Sequence, residues 1–269
     1  MQRRQLVLGS IASLWAARGA WADAAEPTLS FAFDQDAFPT QYSLRAGTSV
    51  GVYPAIVAEL CRMAGLPVSN LAAPFKRVVA GYITGGFAGG ALIQTPERLA
   101  AGLYTRPYYV ERLRPYFARK GSAPVRSVAD LAGMRVGVIR GWAYGQEFDE
   151  ARRKGLFQAE EVATGFQNFM KLQRGRLDCA VETELAAALF IPRLDGLAVV
   201  AGDFTLLQAP IHIGIPKQAP NATLLVARLD KAIADLTASG ALQGVIEREL
   251  RASADYLPLW LREHRLMNE

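Results

Sequence analysis

The chain has 269 residues, 51% hydrophobic and 20% charged, with two Cys and two His. That composition is ordinary for a globular protein of one large or two average domains, and the length buries a core without staples. It excludes disordered, collagenous and disulfide-framework chains, and with the two His far apart in the sequence a structural zinc site is not expected. The formal charge of +5 invites a nucleic-acid reading, which the N-terminus undoes. The chain opens Met1-Gln2-Arg3-Arg4, continues with an apolar run from Leu6 to Ala17, and reaches Ala20-Trp21-Ala22 before Asp23. A basic start, a short apolar run and an A-x-A site make a secretory signal peptide. The run is too short to cross a bilayer, which needs about 20 residues. Residues 1–22 are therefore expected to be removed on export. Arg3-Arg4, Gln5 and Arg18 fit a twin-arginine signal as well as a general one. With no Cys near the cleavage site to carry a lipid, a soluble periplasmic protein is expected. Losing Arg3, Arg4 and Arg18 takes the charge from +5 to about +2. The remaining cations form no block, so a nucleic-acid footprint is absent.

Along the mature chain, short apolar runs alternate with amphipathic stretches, which argues for α/β architecture. Leu29–Phe33 reads as a first strand, and Ile56, Val57, Leu60, Cys61 and Ala64 share a helix face that Gly65 ends. Cys61 is then a small buried hydrophobe. Gly89-Gly90 sits in a strand that looks shortened. Ser127 to Asp130 caps a short helix ending at Gly133; Arg135–Ile139 is a strand; Gly141–Gly145 is a loop leading into a helix through Phe148. Phe169, Leu172 and Gln173 precede Gly175, Leu177–Val181 is a strand, Thr183 to Phe190 is helical, and Leu197–Val200 is a strand. Ile211 to Ile215 alternates, and His212 is expected to pack in or near a crossing strand. Leu225, Leu229, Ile233 and Leu236 mark a long helix closed by Gly240, and a last helix is expected from Ala241 to about Arg251.

Thr95-Pro96-Glu97-Arg98 is the most informative tetrad. Thr at N-cap and Pro at the first helical position start a helix. A cation in the first turn is disfavoured by a few tenths to about 1 kcal/mol, and a bound anion reverses that penalty. The Thr95 hydroxyl, free N–H groups and the Arg98 fork could hold a carboxylate; a surface Arg swinging into water is the alternative. Arg140-Gly141-Trp142-Ala143-Tyr144 is a strand, a glycine turn and a helix start, able to offer N–H groups to an anion or only to pack aromatics.

These segments come in a fixed order. Pro74-Phe75-Lys76-Arg77 precedes Thr95–Arg98, followed by Arg106-Pro107-Tyr108-Tyr109, Gly133–Gly141 and Gly175–Asp178. With the signal peptide, this order resembles the family 3 extracytoplasmic solute-binding proteins of the polar amino-acid type, which serve ABC importers. The likeness runs from about Leu29 to Leu250. Ser127–Val138 matches the start of the family's second lobe, and Ala219–Leu242 its C-terminal helices. The resemblance implies a two-lobed periplasmic-binding-protein type II fold, each lobe a mixed sheet flanked by helices. Two hinge segments are expected to cross near Arg112–Ala118 and Gln208–Ile213. Residues 23–113 and 209–269 would form lobe one and 114–208 lobe two. It further implies a ligand gripped in the cleft by Arg98, with Thr95 beside it. Phe75, Arg77 and either Phe38 or Tyr42 would line one side, and Gly141, Trp142, Ala143 and Tyr144 the other. A membrane permease would be the partner, the binding protein itself being monomeric.

Departures from the family pattern qualify the ligand. The family Asp that pairs with an α-ammonium is replaced by Thr183, flanked by Glu182 and Glu184. A hydroxyl cannot supply a carboxylate's charge-assisted bond, so either glutamate substitutes or the ligand lacks an ammonium. Arg106 stands where an acid is usual, and Gly89-Gly90 replaces another. A carboxylate-bearing or otherwise anionic small molecule is the expected class. No Ser-His-Asp arrangement, Walker loop, dinucleotide fingerprint or metal spacing is present, so a binder without cofactor or metal is expected. The alternatives are a diverged periplasmic enzyme, such as a dehydratase of a carboxylated substrate, and a sensing subunit.

Overall fold

The computed structural model describes residues 28–44, 47–118, 125–142, 144–194 and 198–263. The expected signal peptide, Ala143 and His264 lie outside them.

Strand β1 (Leu29–Asp34) shows why the first layer forms. Phe31 and Phe33 point to one face and pack among Ile56, Val57 and Leu60, while Ala32 points to the other among Val78 and Tyr82. A strand covered on both faces is apolar where it is covered, and here the covered run is Phe31, Ala32 and Phe33, within the strand expected from the sequence. After β1 come the short β2 (Asp36–Ala37), β3 (Gln41–Ser43) and β4 (Ser49–Val50), then α1 (Val52–Met63) and β5 (Val68–Ala73). Helix α2 (Phe75–Ile83), β6 (Ala88–Leu92), α3 (Pro96–Ala101) and β7 (Gly102–Tyr104) complete this part. Strands β5 and β6 pair in parallel with β1. The Gly89-Gly90 pair in β6 has a packing reason: a Cβ at Gly90 would lie 2.1 Å from the Phe33 ring.

Strand β8 (Tyr109–Ala118) then leaves for a second sheet. It is followed by a 3₁₀ turn at Ala129–Leu131, β9 (Arg135–Ile139), α4 (Gln146–Arg153) and β10 (Gln158–Val162). Next come α5 (Gly165–Gln173), β11 (Cys179–Thr183), α6 (Glu184–Phe190) and β12 (Val199–Ala201). Here β9 pairs in parallel with both β10 and β11. Val136, Val138, Phe148, Cys179 and Val181 form the core on one side of this sheet. Strand β13 (Leu207–Pro216) returns to the first sheet, and α7 (Ala222–Ala238) and α8 (Ala241–Glu263) pack there.

The strand order is β10-β9-β11-β8-β13-β6-β1-β5. Its middle is the ribbon that joins two lobes. Residues 109–113 of β8 pair antiparallel with 207–211 of β13. The rest of β8 belongs to the second sheet, through β11 and β12. The rest of β13 belongs to the first, through β6 and β7, with a register shift between His212 and Gly214. The fold is thus the expected two-lobed α/β arrangement with two crossing segments. On the first segment, the crossing comes earlier than residues 112–118, because the far half of β8 is already built into the second sheet.

Two elements differ from the sequence reading. The charged helix α4 runs on to Arg153, with Glu147 and Asp149 in its first turn and Arg152 and Arg153 in its last, the arrangement that suits the helix dipole. Helix α8 continues past Arg251 to Glu263, through Pro258. Its extra turns are held by tertiary burial of Leu257, Trp260 and Leu261 against Phe38 and Phe190, in a cluster that takes residues from both lobes. Among the described residues, no helix is long and apolar enough to cross a membrane.

Candidate functional site

A cleft opens between the lobes above the crossing ribbon. One hollow of about 320 Å³ has Leu113, Leu207, Ala209 and Ile211 of the ribbon as its floor, Phe75 and Arg98 on the lobe-one side, and Gly141 and Trp142 opposite. It adjoins a second of about 410 Å³, which shares Asp34, Phe75, Gly141 and Trp142 and continues to Phe38, Glu182, Thr183 and Trp260. The structure therefore brings together Arg98, Phe75, Phe38, Gly141, Trp142, Glu182 and Thr183 from distant points in the chain.

Arg98 is placed by local chemistry. Thr95 is the N-cap of α3, its hydroxyl accepts the Arg98 backbone N–H at 3.3 Å, and Pro96 follows in the first turn. The guanidinium donates to the Ile93 carbonyl at 3.1 Å and lies 5.3 Å from the centre of the Phe75 ring. A cation over an aromatic face is worth about 0.5–1 kcal/mol at such a half-open site. Thr95 therefore positions the arginine, with its hydroxyl engaged as a cap. Helix α3 has only six residues, so the charge offered to the cleft is the guanidinium's rather than a helix dipole's.

Glu182 and Thr183 form a buried pair at the end of β11. The Thr183 N–H donates to the Glu182 carboxylate at 2.7 Å, and the Thr183 hydroxyl accepts the Ala186 N–H at 3.2 Å as the N-cap of α6. Burial pushes the Glu182 carboxyl up to about 8, and the charge of Glu111 adds to this. Burial likewise raises Asp34 to about 6 and Glu111 to about 7. Sequence reasoning did not single out Asp34 or Glu111. The end of β1 and the alternation along β8 were the signals, but neither says which face meets a ligand.

Several expected site residues lie elsewhere. Tyr42 is buried in an aromatic stack, 5.6 Å from Tyr256 and 4.6 Å from Phe38, with its hydroxyl 3.3 Å from that of Ser253. Of the two candidate wall aromatics, Phe38 reaches the cleft because Tyr42 faces the core. Tyr144 is fully buried among Phe148 and its neighbours, and its hydroxyl accepts the Ile139 N–H at 2.6 Å. Glu184 points to Arg114 at 3.3 Å and Arg112 at 3.7 Å, which neutralise it away from the cleft. Arg77 is exposed on α2, two residues on from Phe75 and so about 200° around the helix from the wall that Phe75 forms. His212 is buried, with Nδ1 2.7 Å from the Thr105 carbonyl oxygen. Among the described residues, no group of three or more His, Cys, Asp and Glu could hold a metal ion.

Residues 29–250 match the family described as bacterial extracellular solute-binding proteins, family 3. No curated protein matches the chain. Among solved structures it resembles an ancestral arginine-binding protein bound to arginine, at 20% identity, with 82% of this chain and 97% of that chain covered and a TM-score of 0.64. It also resembles the amino acid ABC transporter substrate-binding protein AbpA from Streptococcus pneumoniae bound to L-arginine, at 22% identity, 84% and 96% coverage and a TM-score of 0.63. A histidine kinase sensor domain with similarity to periplasmic binding proteins follows at 18% identity, 83% and 96% coverage and 0.64. At these identities the likenesses show the fold; the family match shows membership. The chain belongs to the bacterial extracellular solute-binding proteins of family 3, which are binding proteins rather than enzymes.

Proposed function

We propose that this protein is exported to the periplasm and captures a small carboxylate-bearing ligand between its lobes for delivery to an ABC-type importer. Removal of residues 1–22 leaves lobe one as 23–113 with 209–269 and lobe two as 114–208. The observation that carries the ligand class is Arg98, a half-buried guanidinium held over Phe75 at the wall of the interlobe cleft. A planar fork in a partly desolvated cleft grips a carboxylate with two parallel charge-assisted bonds. Phe38, Phe75 and Trp142 supply apolar wall, and Thr183 and Glu182 are the polar groups reached from lobe two. The partner is a membrane permease and the binding protein acts as a monomer. The likeness to a sensor domain favours a second reading, a subunit that reports the ligand to a membrane receptor. Co-purification with a permease or with a receptor separates the two.

The test is a thermal-shift screen of amino acids, organic acids and amines, followed by calorimetry on the best hit. A ligand that binds only the native state raises the melting temperature. Arg98→Ala is expected to fold normally and to weaken a carboxylate hit by at least about 30-fold, about 2 kcal/mol. Unchanged affinity in that variant, or hits confined to carboxylate-free amines, would discard the reading.

A further inference from the structure

The floor of the cleft carries one group that the reading above does not use. Along β8 the side chains alternate. Glu111 and Leu113 line the cleft, while Arg112 and Arg114 are drawn to Glu184. The register places Glu111 opposite Ala209, with Leu113 opposite Leu207. The carboxyl therefore stands beside a methyl group in a floor otherwise made of Leu113, Leu207, Ala209 and Ile211. No ion pair reaches it among the described residues. Tyr53, itself 2% exposed, reaches the same hollow from α1; its hydroxyl stands beside Glu111 without closing a well-aligned hydrogen bond and has no partner. An unpaired carboxylate in an apolar floor, next to an unsatisfied buried hydroxyl, is costly to fold around. A cation brought by a ligand would relieve both, since an ammonium donates to the carboxylate and to the phenol oxygen together.

We infer that Glu111, with Tyr53, is the receptor for a positively charged group on the ligand, so that the cleft selects dipolar molecules with a carboxylate on Arg98 and an ammonium or guanidinium on the hinge ribbon. This rests on the carboxylate reading of Arg98 and adds the opposite pole. It also explains how the site manages with Thr183: the negative charge is supplied by the hinge strand.

The experiment uses ω-amino carboxylates from glycine to 6-aminohexanoate, each matched with the carboxylate lacking the amine and the amine lacking the carboxylate. Melting shifts and calorimetric affinities are measured on the unmodified protein, Glu111→Gln, Asp34→Asn and Arg98→Ala. One chain length of the dipolar series is expected to bind at least tenfold more tightly than either single-charge partner. Glu111→Gln should abolish that advantage and make carboxylate-only binding no weaker, and its ligand-free melting temperature should be no lower than that of the unmodified protein. Carboxylates binding as well as the dipolar compounds, with no effect of Glu111→Gln, would overturn the inference and leave the Arg98 reading standing. Loss of the advantage in Asp34→Asn alone would also overturn it. Amines binding through Glu111 with Arg98→Ala silent would keep Glu111 and discard the carboxylate reading, and no binding across the series would discard both.

Discussion

Glu182 and Gly165 illustrate how tightly individual residues of the cleft are matched. A Cβ on Gly165 would fall 1.5 Å from a Glu182 carboxylate oxygen, so any larger residue must displace that buried carboxyl. Gly165→Ala is expected to destabilise the protein by about 1–3 kcal/mol, the usual cost of overpacking a filled site. Denaturant titration measures it, and Gly165→Ala combined with Glu182→Ala should recover part of the loss, as groups in contact do not add. Additive effects in that cycle would show that the two do not interact. Thr183 makes a related point: the hydroxyl at the position of the family's acid serves as a helix cap, so Thr183→Ala should cost about 1 kcal/mol of stability whatever the ligand does.

Among the elements, α8 departs furthest from expectation. The family match ends at residue 250, yet the helix continues to Glu263. Its last turns place Trp260 4.6 Å from Phe38 on lobe one, and Phe38 stacks at 6.2 Å on Phe190 of lobe two. The helix thus closes one flank of the cleft with aromatic packing that the two-stranded ribbon does not provide. Trp260 is 1% exposed, and Trp260→Ala is expected to cost about 3–5 kcal/mol in denaturant unfolding. A loss under 1 kcal/mol would mean that these turns are only loosely docked.

For the whole molecule, the three raised carboxyls set a pH dependence. Asp34, Glu111 and Glu182 keep their protons to about 6, 7 and 8, mainly because burial penalises the charge. The folded chain then binds more protons than the unfolded one between the ordinary carboxylate range and about pH 8. Their contribution is complete below that range and is lost as pH rises through each folded value. Asp178, held below its ordinary value by hydrogen bonding to Arg135, acts in the opposite sense and loses its contribution as the medium becomes more acid. Calorimetric melting of the ligand-free protein should therefore peak near pH 5 and fall toward pH 8, with a shallower fall in Glu182→Gln. A flat profile from pH 5 to 8 would contradict the burial assigned to these groups.

Much of the local structure was legible in the chain itself. The β9 strand, the Thr95 cap, the apolar face of α1 and the long α7 helix follow from nearest-neighbour chemistry and periodicity, so residues 135–139, 95–98, 52–63 and 222–238 carried their own instructions. The two-lobed class followed from the order of such segments. Which side chains share the cleft depended on packing at a distance. Phe38 and Tyr42 are equivalent in sequence, but only the stacking of Tyr42 on Tyr256 sends it to the core. Glu184 and Glu111 are both acids near helices and strands rich in arginine, yet Arg112 and Arg114 neutralise the first and face away from the second. That division was made by the register of β8 against β13, a pairing of residues about a hundred positions apart. Short-range energies decide what each segment is; only the tertiary pairing decides which face of it meets the ligand.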